Sequence, residues 1–236
     1  MRKGLLAASA SVLATLGLSG GLATATPPSN VVRADVVPVH RDGGKLLGQW
    51  WARILSLPPA QATTPRCTRI GRHGNVLAPS GEGTNVQVTC RMSVDTRLFL
   101  ILESGECSSN EQPPFHGDTA AEQRSCVLAA VAHSPVIAET VAVDGSKPVN
   151  MRSKKFLVIS PQERTVFAGD PAHGVSPGPG TFVAAGYVAT VPRARLRPGR
   201  HVIVGRSITA QPSETGQLTI HLTVVGHKHR RHHGRP

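Results

Sequence analysis

Residues 174–178, GVSPG, match the G-x-S-x-G pattern that presents a nucleophilic serine in many hydrolases. That chemistry needs the backbone N–H of the residue after the serine to stabilise the oxyanion, and Pro177 has no N–H to donate. The pattern also requires a strand before the serine and a helix after it, whereas HGVSPGPG predicts a loop that leads into a strand. We therefore assign no nucleophile to Ser176.

Two carboxyl groups could supply acid–base chemistry, because Glu103 and Glu106 lie close together at the end of a predicted strand. Many loops supply such a pair, and the sequence predicts no aromatic or hydrogen-bonding walls for a cleft around them. We interpret both as solvated charges at the edge of a sheet, and we interpret His116 and Asp118 in the same way. We predict no catalytic residue and favour a protein that is not an enzyme.

The balance of charge is the strongest chemical signal: 26 Lys and Arg against 14 Asp and Glu give a formal net charge of +12. Arg193, Arg195 and Arg197 alternate along the chain, so an extended backbone would place them on one face, with Arg200 just past a turn. Arginine contacts phosphates and carboxylates through paired hydrogen bonds. These four arginines are therefore our candidate anion-binding residues. The alternative is that the arginines reflect composition alone.

Two further basic segments could add to such a site. Arg66, Arg69 and Arg72 recur every three residues around the first cysteine. Residues 226–236, GHKHRRHHGRP, hold four His, three Arg and one Lys without a large apolar side chain, which predicts a disordered basic tail. Imidazoles there could chelate a transition metal, but an unstructured tail cannot hold coordination geometry. We predict no metal site and no cofactor.

The first 25 residues have the pattern of a secretory signal peptide. Arg2 and Lys3 precede the uncharged stretch 5–22, and Ala23-Thr24-Ala25 forms a small-x-small cleavage site. An uncleaved anchor is the alternative, but glycines interrupt this stretch, and no later run is long enough to cross a membrane. We predict a secreted or envelope-associated protein. Export argues against nucleic acid as the natural partner and favours anionic envelope polymers or lipid head groups.

Four cysteines in an exported chain predict disulfide bonds. Cys67, Cys90, Cys107 and Cys126 allow three pairings. Pairing of neighbours along the chain, Cys67–Cys90 and Cys107–Cys126, closes two loops of about 20 residues, each of which would stabilise the fold by about 3 kcal/mol. A zinc site with four thiolates would require C-x-x-C pairs, which are absent.

Apolar periodicity predicts two helices. Leu46, Leu47, Trp50, Ile54 and Leu57 recur at helical spacing in residues 45–57, so one of the adjacent residues Trp50 and Trp51 is expected in the core and the other at its edge. Pro58-Pro59 stops this helix. Thr119 and Glu122 form a capping box that begins a second helix, which runs to about Ala132 and holds the last cysteine.

Seven segments predict β-strands separated by Gly- and Pro-rich turns. They are residues 86–92, 97–103, 136–143, 154–160, 181–191, 200–208 and 217–225. This pattern predicts a mainly β protein, an antiparallel β-sandwich of jelly-roll or Ig-like type with two short helices. We divide the chain into a signal peptide (1–25), an extended leader (26–44), one disulfide-bonded domain (45–225) and the tail (226–236).

Taken together, several of these segments resemble a group of uncharacterised secreted bacterial proteins. The resemblance rests on GQWWARILSLP (48–58), VTCRM around Cys90, GEC ending at Cys107, and later on Gly186-Tyr187 and LRPGRHVIV (196–204). It implies export, disulfides and a β-rich fold over residues 45–225, and it implies no catalytic residue. The chain departs from the group at 75–85, NVLAPSGEGTN, where such proteins have an aromatic-rich strand.

Together these observations predict an exported, non-enzymatic protein that associates with anionic cell-envelope polymers through its arginines and basic tail. Aromatic residues make up only 3% of the chain, which argues against stacked aromatic platforms for sugars or bases. One alternative is a structural or protein-binding module whose charge is incidental. The other is a secreted hydrolase with a carboxylate site.

Overall fold

Alternating apolar residues and Gly- or Pro-rich turns produce β-strands along most of the chain. The computed structural model describes residues 36–39, 41–81, 83–210 and 215–226, all within the compact unit Val32–Pro236. The predicted signal peptide, most of the predicted leader and nearly all of the basic tail lie outside the described residues. Within the described part the strands are β1 (Val37–Pro38), β2 (Arg66–Ile70), β3 (Val76–Ser80), β4 (Asn85–Ser93), β5 (Arg97–Ser108), β6 (Val136–Val143), β7 (Val149–Asn150), β8 (Leu157–Ile159), β9 (Glu163–Phe167), β10 (Gly178–Val191), β11 (Gly199–Thr209) and β12 (Gly216–Val225).

The strands form two sheets. The larger sheet has the order β1-β10-β5-β3-β2, and β8 and β9 pair with earlier parts of β10. The smaller sheet has the order β4-β12-β11-β6-β7. The prediction of a mainly β fold is confirmed, but the prediction of purely antiparallel sheets is wrong, because β4 pairs with β12 and β3 pairs with β5 in parallel. A parallel pair needs a long crossover connection, and turn signals between neighbouring strands cannot reveal it.

Six of the seven predicted strands coincide closely with observed ones. The segment 154–160 is strand only over β8, because residues 154–156 form a turn in which Phe156 N–H donates to Ser153 O. Four strands were not predicted, β2, β3, β7 and β9, and β1 lies in the leader that was predicted to be extended. Within the predicted leader, β1 pairs with β10, and the flanking residues Val36 and Val39 are buried.

Among the described residues, three α-helices accompany the sheets: α1 (Gly43–Leu55), α2 (Pro59–Ala62) and α3 (Ala120–Ala132). The capping box at Thr119 and Glu122 is confirmed at the start of α3. The short helix α2 was not predicted; Pro59 lies in its first turn, where a missing N–H costs nothing. Trp50 is buried and Trp51 half-buried, as the spacing predicted. A Cβ at Gly44 would lie 2.1 Å from the carbonyl oxygen of Ile159, so only glycine lets α1 approach β8 this closely.

The main core lies between the two sheets. The larger sheet contributes Leu77, Leu98, Leu100, Ala189 and Val191, and the smaller sheet contributes Val88, Cys90, Met92, Val141, Val143, Ile203, Ile220, Leu222 and Val224. On the other face of the larger sheet, α1 packs through Leu46, Leu47, Trp50 and Ile54 against Phe99, Ile101, Phe182 and Ala184. Helix α3 packs against Cys107, Val183 and Ala185. Strands β5 and β10 are therefore covered on both faces.

Both disulfides join cysteines that are neighbours along the chain, which is one of the three pairings that the sequence allows. Cys67–Cys90 links β2 of the larger sheet to β4 of the smaller sheet, with 5.8 Å between the Cα atoms. Cys107–Cys126 links β5 to α3, with 6.1 Å between the Cα atoms. One bond therefore joins the two layers and the other holds a helix on its sheet.

No helix among the described residues is long and apolar enough to cross a membrane.

Replacing both Cys67 and Cys90 with alanine is expected to lower the free energy of unfolding by about 3 kcal/mol, because the bond closes a loop with a sequence separation of 23 and restricts the unfolded chain. Urea denaturation without reductant measures this change. The variant that lacks Cys107 and Cys126 is the matched control, with a similar expected loss. An unchanged urea midpoint in the first variant would contradict this account of the inter-sheet bond.

Candidate functional site

The outward side of the smaller sheet forms a basic face, which we define by Arg91, Arg200, Arg206 and His221. All four side chains are exposed, and they come from β4, β11 and β12. These strands contain no Asp or Glu, and their other outward residues are Asn, Gln, Ser, Thr, Val and Ile. The face therefore offers hydrogen-bond donors and positive charge without a competing carboxylate in its own strands.

Strand pairing sets the spacing of the basic face. Arg200 lies opposite Thr223, and Thr223 lies opposite Arg91 on its other side. The two arginines are thus two strands apart, or about 10 Å. Arg69 extends this row, because its guanidinium donates to the backbone carbonyl oxygen of Arg91 at 3.4 Å.

The candidate anion-binding residues do not form the single extended row that the sequence suggested. Residues Arg193–Arg195 form a turn of 3-10 helix, which breaks the alternation that an extended backbone would have imposed. Arg193 and Arg197 are exposed and Arg195 is half-buried. Arg200 lies on the basic face. The backbone oxygen of Arg197 contacts His201 Nε2 at 2.8 Å, which holds the turn beside this end of β11.

Sequence reasoning missed Arg91 and Arg206 as members of this face. The alternation in VQVTCRM already placed Gln87, Thr89 and Arg91 on one side of their strand. What it did not contain was the parallel pairing of β4 with β12, which brings Arg91 to the same side of the sheet as Arg200. The sequence therefore indicated the side of β4 on which Arg91 lies, but it did not indicate which strand pairs with β4.

The two carboxyl groups of Glu103 and Glu106 are separated, not paired. Residues three apart on a strand lie on opposite faces. A bulge in the β5–β10 ladder opposite Tyr187 precedes Glu106, since Ser104 pairs with Gly186 and Ile101 with Val188. Glu106 lies on the face covered by α1, and Glu103 lies on the face covered by the smaller sheet. The expectation of solvated edge charges is wrong, because both side chains are largely buried.

Glu106 forms a carboxyl pair with Glu111. The residue is 7% exposed, and the carboxyl groups share a side-chain hydrogen bond. Burial, with the Glu111 charge as a second cause, raises the pKa of Glu106 to about 9. Burial also raises the pKa of Glu111. The Ser108 hydroxyl opposes this shift by donating a hydrogen bond to Glu111 Oε2 at 3.1 Å. Glu106 Oε2 is buried and has no hydrogen-bond partner among the described residues.

A second acidic group lies between the sheets. Glu139 of β6 is fully buried, and neither carboxyl oxygen has a hydrogen bond that meets normal distance and angle limits within the described chain. Burial, and then the charge of Glu103, raises the pKa of Glu139 to about 8, while the Arg152 guanidinium opposes the shift. Arg152 forms an ion pair with Glu103 and lies 5.5 Å from the centre of the Tyr187 ring.

The remaining sequence candidates lie on the surface. His116 Nε2 is 3.2 Å from Asp118 Oδ1, and the Asp118 side chain is 78% exposed, as the interpretation of a solvated charge predicted. Ser176 N–H donates to Asn110 O, and the chain then enters β10 at Gly178. The predicted loop leading into a strand is confirmed, so Ser176 has no nucleophile elbow. The predicted His-rich tail, apart from Gly226, lies outside the described residues.

No model of a known protein family matches the chain, and no curated protein matches it. Among solved structures, the chain is similar to one titled "Structure of PbICP-C in complex with falcipain-2", with 11% sequence identity and a TM-score of 0.26. The alignment covers 63% of this chain and 98% of that chain. A likeness this low supports no statement about activity or partners.

Replacing Glu139 with glutamine is expected to reduce the loss of stability as pH rises from 5 to 8. The folded state keeps the Glu139 proton up to about pH 8, whereas the unfolded chain releases it near 4.5, so stability falls with pH in between. One such group contributes up to about 1.4 kcal/mol per pH unit. Urea denaturation at several pH values measures the slope, with Asp118→Asn as the exposed control. Equal slopes for the wild type and Glu139→Gln would refute this assignment.

Proposed function

We propose that the protein is an exported, non-enzymatic protein that binds an anionic polymer of the cell envelope through the basic face of its smaller sheet. The observation that carries this proposal is the row of Arg91 and Arg200 on strands that contain no acidic residue. The arginines after β10 extend the positive surface at the end of the sheet where β11 begins, and the predicted basic tail follows β12 in the sequence.

Physical chemistry favours a polymer over a small anion at this face. The outward side of a sheet is broad, and arginines about 10 Å apart can contact successive charges along an extended chain. Each arginine that neutralises a phosphate or carboxylate releases a bound counterion, so affinity falls steeply with salt. The neighbouring Thr and Gln side chains supply neutral donors and acceptors. A polymer with repeated anionic groups matches this arrangement.

Export and the finer type of the sandwich belong to the same proposal. Two disulfide bonds suit an oxidising compartment, which supports a secreted or envelope-associated protein. We infer an Ig-like rather than a jelly-roll sandwich, because the Cys67–Cys90 bond joins the two sheets as the disulfide of Ig domains does. The resemblance to secreted bacterial proteins with a GQWW helix remains a prediction.

Replacing Arg91, Arg200 and Arg206 together with glutamine is expected to weaken co-sedimentation with isolated cell envelopes by tenfold or more at low salt. The slope of log affinity against log salt should fall by up to about one for each arginine lost. Deletion of residues 226–236 should weaken binding further. The measurement is the bound fraction across a salt series.

The matched control replaces three exposed arginines outside the basic face with glutamine: Arg53, Arg124 and Arg164. It removes the same positive charge as the test variant. It should bind nearly as the wild type does. Equal losses in both triple variants would mean that net charge alone drives the association. Binding that ignores salt would favour the alternative of a protein-binding or structural module with incidental charge.

A further inference from the structure

A cavity of about 430 Å³ lies on the opposite side of the larger sheet from the smaller sheet. Its walls are mostly apolar and come from α1, from the segment after it and from two loops; they include Trp51, Ile54, Leu57, Phe115 and Val175. Phe115 is 45% exposed, which is unusual for a large aromatic side chain. The volume is in the range that binds small organic ligands.

The polar groups of this cavity are predominantly acidic. Glu106 and Glu111 contribute the buried carboxyl pair, and Asp170 lies in the lining with His173, whose Nδ1 is 2.7 Å from Asp170 Oδ2. Behind the pair, His116 Nδ1 contacts the backbone oxygen of Glu111 at 2.8 Å. No Lys or Arg is part of the lining. The lining of the cavity is therefore mostly apolar, and its polar part is acidic.

We propose that this cavity binds a small amine with an apolar body, whose ammonium group contacts the Glu106–Glu111 pair. Glu106 Oε2 is buried without a partner, and an ammonium group offers three donors for such acceptors. The apolar walls would cover the body of the ligand, and the faces of Trp51 and Phe115 attract cations. An anionic ligand would be repelled by the acidic groups, and a neutral ligand would not compensate the negative charge that remains on the pair.

Proton linkage follows from the same geometry. At pH 7 the carboxyl pair retains a proton, because burial raises the pKa of Glu106 to about 9. An ammonium group placed against the pair stabilises the ionised form, so this proton passes to solvent when the ligand binds. Binding should therefore release close to one proton per amine, and affinity should rise about tenfold per pH unit between pH 6 and 8. Alkylamines remain protonated throughout this range.

The experiment uses n-hexylamine as the probe, with hexan-1-ol and hexanoate as ligands of matched length. Calorimetry with the disulfide-bonded protein is expected to show binding of hexylamine at least tenfold tighter than that of either matched ligand. Proton release is measured directly in weakly buffered solution. Equal binding of hexan-1-ol and hexylamine would overturn the proposal, as would the absence of hexylamine binding.

The variant Glu106→Gln keeps the shape of the side chain and its ability to donate a hydrogen bond to Glu111. It is expected to bind hexylamine at least tenfold more weakly and to release no proton. Asp118→Asn, which removes a carboxylate outside the cavity lining, should bind as the wild type does. If Glu106→Gln does not fold, the pH series of the wild type decides the question, since an affinity independent of pH would overturn the proposal.

Discussion

The pairing of β5 with β10 is the interaction on which the rest of this structure depends. These two long strands are apolar on both sides, so each face of the larger sheet has to be covered by another layer. The smaller sheet and α3 cover one face, and α1 covers the other. Each disulfide then joins the larger sheet to one of these layers, which reinforces contacts that apolar burial already requires.

Coverage of both faces explains why carboxyl groups are buried in a basic protein. The last residues of β5, near and beyond its bulge, still lie beneath neighbouring layers. The side chains of Glu103 and Glu106 are therefore buried on opposite sides of the sheet. A different interaction offsets the cost of burying each carboxyl group. Glu103 pairs with Arg152, and Glu106 shares a proton-dependent hydrogen bond with Glu111. The energetic cost of burial raises the pKa of Glu106 on one side of the sheet and the pKa of Glu139 on the other.

The two surfaces with ligand-binding chemistry are opposite in charge and separated by the core. The basic face uses the side of the smaller sheet that turns away from the core, while the carboxyl pair lies beneath α1 on the far side of the larger sheet. An anionic polymer on one surface and a cationic ligand on the other would not compete for the same residues. The sandwich architecture separates the two surfaces, because the core fills the space between the sheets and ligands can reach only the outer faces.

Local pattern was enough to place six strands, two helices, the capping box at Thr119 and the loop at Ser176 that leads into β10. These features depend on residues within a few positions of one another, where apolar period, caps and proline act directly. Sequence alone left the cysteine pairing open among three possibilities. Only the tertiary structure decided that β4 lies parallel to β12, that Arg91 and Arg200 share a row, and that Glu106 meets Glu111 in a cavity. Those contacts depend on how whole layers cover the two apolar faces of β5 and β10, and no short stretch of sequence contains that information.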